Sequence, residues 1–326
     1  MNPRERVPLG RTKISVTRIG LGTAPLGGLF EAVDDATGLR VVERAWEAGI
    51  RFFDTAPLYG HGLAETRLGK VLRHKPRDEF TFATKVGRLL RADAQPEPGQ
   101  SFRGVPPINP VFDFSYDGVM RSFEESLERL GLDRIDILHI HDPDDHFDEA
   151  IDGAYRALAR LRADGVIKAV GAGMNQAEML TRFAREGDFD CFLLAGRYTL
   201  LDQIGLKELL PECLERGIAI IAGGVYNSGI LADPKPGAYY NYRTAPADLV
   251  DRAQRIRDVC TRHGVPLRAA AVQFPLGHPA VTSVLVGCRS VEEVDDNIAM
   301  FEYEIPPPLW QELKAERLIP AEVPTP

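Results

Sequence analysis

Short apolar runs alternate with longer amphipathic segments along most of the chain. Runs such as Ile50-Arg51-Phe52-Phe53 are too short for helices and rich in aromatic or branched side chains, which marks them as buried strands. The pattern predicts eight of them: Arg18–Leu21, Ile50–Phe53, Phe80–Thr84, Ile135–Ile140, Ile167–Gly171, Cys191–Leu194, Ile218–Ala222 and Val284–Val286. Each is followed by apolar residues at helical spacing, as in Gly118–Leu130 and Phe147–Arg162. Upstream, Val7 to Val16 reads as a hairpin around Gly10.

Eight strand–helix repeats in 326 residues predict an α/β fold of one particular kind, a single (β/α)8 TIM barrel with an N-terminal β-hairpin. A doubly wound sheet would want a GxGxxG turn after its first strand. "GLGTAPLGG" at 20–28 is rich in glycine but lacks that spacing, and no acidic residue ends a second strand in the ribose-binding position. No shift in composition marks a boundary, so residues 1–326 are read as one barrel domain. Two Pro/Gly-rich stretches, 86–116 and Tyr226–Pro246, read as long loops on the barrel's C-terminal face, where barrel active sites are built.

Charge narrows the partners. A formal net charge of −8 offers no basic face for nucleic acid or an anionic membrane, which leaves a small molecule. The cysteines Cys191, Cys213, Cys260 and Cys288 lie far apart without CxxC spacing, so neither a zinc knuckle nor a disulfide scaffold is expected. No apolar run approaches the roughly 18 residues needed to span a bilayer, and "MNPRERVPLG" does not read as a leader. A cytoplasmic location is expected.

The candidate chemistry starts at "FFDTAPLYGHG", residues 52–62, where a buried strand ends on Asp54 and a glycine-rich loop then offers Tyr59. Alone, these read equally well as a helix cap and a loop aromatic. In a barrel, however, Asp54, Lys85 and His141 end the second, third and fourth strands, so three neighbouring strands deliver an acid, an amine and an imidazole to one rim. An ammonium near a phenol favours the phenolate, so the Tyr59 pKa is expected below its usual value of about 10, fitting it as a general acid or base. His139 shares a face with His141 one layer deeper, and is expected to be a hydrogen-bonded core histidine. His146 and Asp148 read as solvated or capping residues, and no metal is expected.

These stretches resemble the aldo-keto reductase superfamily over nearly the whole chain. The resemblance rests on the hairpin followed by "IGLGT", on "FFDTAPLYGHGLAETRLGKVL", on "TKVG" and on "SLERLGLDRIDILHIHDPD". It implies that Asp54, Tyr59, Lys85 and His141 are the catalytic tetrad, and that a nicotinamide cofactor lies extended across the barrel mouth without a separate Rossmann domain. Contacts implied by position are Gly22 and Thr23 after the first strand, Asn175 on the nicotinamide amide, and Gly223, Gly224 and Tyr226 after the seventh strand. Gly287, Arg289 and Ser290 would lie near phosphate and ribose, with Asn297 on the adenine. The chain departs from the family pattern twice. Gly171-Ala172-Gly173-Met174-Asn175 lacks the usual serine, and Gly223-Gly224-Val225-Tyr226 lacks the aromatic that stacks on the nicotinamide, leaving Tyr226 or Tyr198 for that part. Glu293 stands where phosphate-selective members place an arginine, which implies NAD over NADP. Ser290 and Glu293 also read as a capping box.

"GGVYNSGIL" is similar to text in the branch of sugar and pyridoxal dehydrogenases. The activity implied is oxidation of an aldose of the L-fucose or D-threo kind at C1 to the lactone, with pyridoxal oxidation or generic aldehyde reduction as alternatives. Arg103, Asn109, Asp113, Tyr226 and Asn227 are the loop polar groups expected to read a sugar's hydroxyls. Two other classes compete. A non-enzymatic cofactor-sensing subunit of the kind that accompanies potassium channels would be expected to carry an added N-terminal segment, whereas this chain starts almost at its hairpin. A barrel hydrolase using Asp142 and Asp144 would leave Tyr59 and Lys85 without roles.

Overall fold

The computed structural model describes residues 1–96 and 101–326. Its centre is a closed parallel barrel of β1 (Ile19–Gly22), β2 (Phe52–Asp54), β3 (Thr81–Val86), β4 (Ile137–His141), β5 (Ala169–Met174), β6 (Cys191–Ala195), β7 (Ala219–Gly223) and β8 (Val281–Gly287). Successive side chains point to opposite faces, and both faces are covered, so the strands read as continuous apolar runs. Phe52, Ala83, Ile137, Leu193, Ile221 and Leu285 fill the interior. Phe53, Phe82, Leu138, Phe192, Ile220 and Val284 face the helices.

The hairpin pairs Arg6–Pro8 with Ser15–Thr17 and sends Leu9, Ile14 and Val16 into the interior cluster from the strands' N-terminal ends. Gly10 has φ +54°, and a Cβ there would lie 2.6 Å from the Gly217 carbonyl oxygen, so the turn admits only glycine at this point. The barrel is thereby plugged below.

The strands run further towards the C-terminal rim than hydrophobicity predicts. Gly22 pairs with Asp54, Lys85 with His139 and His141 with Gly173, because ladder bonds continue under polar side chains. β8 begins three residues early for a related reason: buried Ser283 interrupts the apolar run while its hydroxyl donates to the Thr17 carbonyl at 2.8 Å. The predicted loop 86–116 contains an antiparallel ribbon of Arg88–Arg91 and Asn109–Phe112, and residues 97–100 within it lie outside the described residues. The second loop carries a small ribbon of Tyr239–Tyr240 with Arg243–Thr244.

Candidate active site

Adjacent strands β2, β3 and β4 place Asp54, Lys85 and His141 together at the C-terminal rim. Lys85 is 1% exposed, and its Nζ donates to Asp54 Oδ1 at 2.6 Å and to the Thr55 carbonyl at 2.8 Å. The other Asp54 oxygen is buried without a hydrogen-bond partner among the described residues. Tyr59 arrives from the loop after β2. Gly60 has φ +63°, and its Cα side packs so closely on Gly27 that a Cβ would lie 2.3 Å from the Gly27 carbonyl oxygen. This backbone-on-backbone contact sets the loop's height, and it answers why the tyrosine is followed by glycine. The Tyr59 ring then lies under Lys85 Nζ at 4.7 Å, edge-on to His141 at 5.7 Å and 6.1 Å from Phe102.

The electrostatics correct one expectation. The Tyr59 pKa is raised well above 10, first by burial and then by the Asp54 and Asp142 carboxylates. The Arg88 cation opposes this rise without overcoming it. Burial also raises the Asp54 pKa, an effect that Lys85 only partly opposes. His141 is pushed well below 6.5 by burial and by the Lys85 and Arg88 cations, so its imidazole is neutral near neutral pH. His139 falls to about 3, chiefly by burial and then by Lys85. His139 is fully buried, as expected of a core histidine; the Ala172 backbone favours its protonated ring, although neither ring nitrogen makes a hydrogen bond of good geometry among the described residues.

Two cavities open side by side at the rim. The first, of about 260 Å³, is lined by Tyr59, Lys85, Phe102, His141, Asp142, Asn175 and Tyr242, among others. The second, of about 320 Å³, is lined by Gly224, Tyr226, Gly287, Arg289, Glu293 and Asn297, with Asn227, Arg268 and Asp296 added by the fold. Leu29 lines both, with Asn297 in the second cavity and Tyr59 in the first. In the first cavity, Asn175 donates its amide to the Ala195 carbonyl at 2.8 Å, which fixes the group and leaves its oxygen to accept from a ligand amide. In the second, the helix Val291–Glu302 begins at Ser290, whose hydroxyl accepts from the Glu293 N–H at 3.3 Å. The Glu293 carboxylate accepts from the Arg289 N–H at 2.7 Å, one residue earlier than a standard capping box would place it. These groups fit the two halves of a dinucleotide.

Other sequence-predicted contacts fall elsewhere. Thr23 is buried, and both its N–H and its hydroxyl donate to the Asp54 carbonyl at 3.0 Å, so it clips β1 to β2. Gly22, Thr23, Gly223 and Ser290 line neither cavity. Tyr226 donates its hydroxyl to Asn297 Oδ1 at 2.6 Å in the second cavity, away from the Tyr59 side, and Tyr198 is in the core against Phe274 and His278. Of the predicted hydroxyl readers, Asn109 bonds the Ala94 carbonyl and Asp113 caps Ser115, while Tyr226 and Asn227 line the second cavity; none of these, nor Arg103, lines the first. Sequence reasoning missed Arg268, whose guanidinium pairs with Asp296 at 2.6 Å, and Tyr242, which follows Asn241 in a left-handed pair with φ +49° and +63°. For Arg268 the only signal is a charged residue at the start of a short apolar helix.

Comparison with known proteins agrees with this geometry. The model of the aldo/keto reductase family matches residues 18–316. Among curated relatives, pyridoxal 4-dehydrogenase of Microbacterium luteolum is 45% identical, covering 97% of this chain and 98% of that protein. D-threo-aldose 1-dehydrogenase of a Pseudomonas species is 46% identical, covering 94% and 96%. A holo-form aldo-keto reductase from Bacillus halodurans superposes with a TM-score of 0.77 over 98% of each chain at 25% identity. A (β/α)8 barrel with its acid, amine, imidazole and phenol at the C-terminal rim, matched over nearly its whole length, belongs to the aldo/keto reductase family of nicotinamide-dependent oxidoreductases.

Proposed function

We propose that this protein, one barrel domain working in the cytoplasm, oxidises an aldose at its anomeric carbon to the lactone with NAD. The observation that carries the substrate is the 46% identity, over 94% of the chain, to a protein named for D-threo-aldose oxidation. A nicotinamide whose amide is held by Asn175 would supply the acceptor for the hydride that leaves C1 with its bonding pair. The chain's own residues do the rest. Tyr59, having released its proton to solvent, takes the proton of the C1 hydroxyl; neutral His141 donates to the same oxygen and holds its direction; and C1–O becomes the lactone carbonyl. Lys85 and Asp54 hold the floor beneath them as one buried ion pair. The four cysteines are unpaired and buried, which suits a reducing compartment.

The choice of NAD is supported by the charges in the second cavity. Arg268 is paired with Asp296 at 2.6 Å, and Arg289 with Glu31 at 3.3 Å and Glu293 at 3.5 Å. A 2′-phosphate would enter beside these carboxylates, with both guanidinium groups already engaged, whereas a ribose hydroxyl would donate to one of the carboxylates. Pyridoxal oxidation is the second reading, favoured by the relative at 45% identity and by Phe102, whose ring lies near Tyr59 at an interplanar angle of 34° and offers a face for a flat substrate.

Initial rates with L-fucose, D-arabinose and pyridoxal, using NAD and NADP, beside reduction of benzaldehyde, test both readings. NAD-linked oxidation of the aldoses is expected to dominate. Turnover of pyridoxal alone would replace the first reading by the second, and turnover of benzaldehyde alone would remove both.

A further inference from the structure

Beside His141 stands a carboxylate that hydride transfer does not use. Asp142 directly follows β4, and a continued extended strand would turn its side chain to the face opposite His141, towards the helices. Instead its φ is +45°, a left-handed conformation that side-chain-bearing residues seldom adopt, and its N–H is held by the Gly173 carbonyl at 3.0 Å. The side chain therefore joins Tyr59, Lys85 and His141 in lining the first cavity. Its Oδ2 lies 3.3 Å from His141 Nε2 and 3.7 Å from a terminal nitrogen of Arg88, and the side chain is 30% exposed. Sparsely populated backbone conformations at a cavity wall are a mark of function.

We infer that Asp142 reads the hydroxyl on C2 of the sugar, next to the reacting carbon, and so makes that hydroxyl a requirement of the substrate. The inference rests on the aldose reading above. His141 holds the oxygen on C1, and neighbouring sugar oxygens in a gauche relation lie about one hydrogen-bond length apart. An acceptor beside the His141 donor is thus placed for the C2 hydroxyl. An ionised carboxylate only accepts, so it asks the ligand for a donor and bonds it more strongly than a neutral group would. An analogue without the hydroxyl forfeits that charge-assisted bond while Asp142 keeps its neighbours Arg88 and His141, and a site that hydrogen-bonds a substrate hydroxyl discriminates against the analogue lacking it.

The test compares NAD-linked oxidation of D-arabinose, its C2 epimer D-ribose, and 2-deoxy-D-ribose, the same pentose without the C2 hydroxyl, beside reduction of benzaldehyde. Wild type is expected to favour D-arabinose over 2-deoxy-D-ribose by about 10²-fold or more in kcat/KM. In Asp142→Asn and Asp142→Ala, D-arabinose is expected to lose at least about tenfold more than either 2-deoxy-D-ribose or benzaldehyde, so that the discrimination collapses. Equal losses on every substrate, benzaldehyde included, would mean that Asp142 acts only through His141 and would overturn the inference. So would a wild-type enzyme that oxidises 2-deoxy-D-ribose as well as D-arabinose, a comparison that needs no variant to fold. Failure of the aldose reading looks different: wild type then oxidises no pentose while it still turns over benzaldehyde or pyridoxal.

Discussion

Tyr59 is surrounded by influences that keep its proton on: burial, then the Asp54 and Asp142 carboxylates. A raised pKa means that the phenol persists to higher pH, so the form that donates a proton to a carbonyl is abundant and the form that accepts one from a sugar is scarce. Aldose oxidation is therefore expected to rise about tenfold per pH unit from about pH 7 towards about pH 10, while aldehyde reduction stays level over the same range and falls only above it. Initial rates in both directions across that range check the sign; an oxidation rate that is flat from neutrality upwards would mean that another group carries the proton. Tyr59→Phe keeps the ring and is expected to lower turnover by about 10²–10⁴-fold in both directions, with cofactor binding retained by fluorescence titration. The rim residues were legible because strand period and the C-terminal-end rule together place Asp54, Lys85 and His141 on one face. Asp142 was not, since nothing in "HIHDPDD" announces a left-handed φ that reverses the strand's alternation. The direction of the Tyr59 shift was also illegible, because it is set first by the depth of burial and then by the Asp54 and Asp142 carboxylates around the ring.

At the level of elements, sequence periodicity found each barrel strand and failed at its ends. Apolar runs stop where the side chains become useful, yet the backbone ladder continues under them, as at Lys85 with His139 and His141 with Gly173. Pro and Gly between residues 86 and 116 hide the Arg88–Arg91 and Asn109–Phe112 ribbon, whose strands are too short to show a period. The helix Val291–Glu302 was read with its cap at Ser290, and the structure places the cap there. Glu293 there does two things at once: it accepts the Arg289 N–H and holds negative charge in the second cavity. Glu293→Arg removes the acceptor and reverses the charge. The helix start is expected to lose about 0.5–1 kcal/mol, a small cost, while the ratio of kcat/KM for NADP over NAD rises by roughly tenfold or more. Rates at matched concentrations of both cofactors decide it, and a wild type that already prefers NADP would defeat the assignment of Glu293.

The whole molecule is a barrel with unlike ends, plugged below by the hairpin and open above to two cavities. Legibility followed that division: the hairpin, the eight repeats and the face that carries chemistry came from pattern, whereas the cavity walls depend on loops that pattern alone does not shape. The division also separates stability from chemistry. Leu9 is fully buried and belongs, with Phe52, Ile137 and Ala169, to the cluster that fills the barrel interior. Leu9→Ala leaves a hole that the closed strands cannot collapse to fill, since each is held by ladder bonds on both sides, and is expected to cost about 2–5 kcal/mol. The melting temperature should fall by several degrees, yet kcat and KM measured well below the transition should stay within about threefold of wild type, because Leu9 lines neither cavity. Thermal denaturation and initial rates on the same preparation separate the two effects. A large loss of kcat in folded Leu9→Ala would show instead that packing at the plugged end is transmitted up the strands to the ion pair of Asp54 and Lys85.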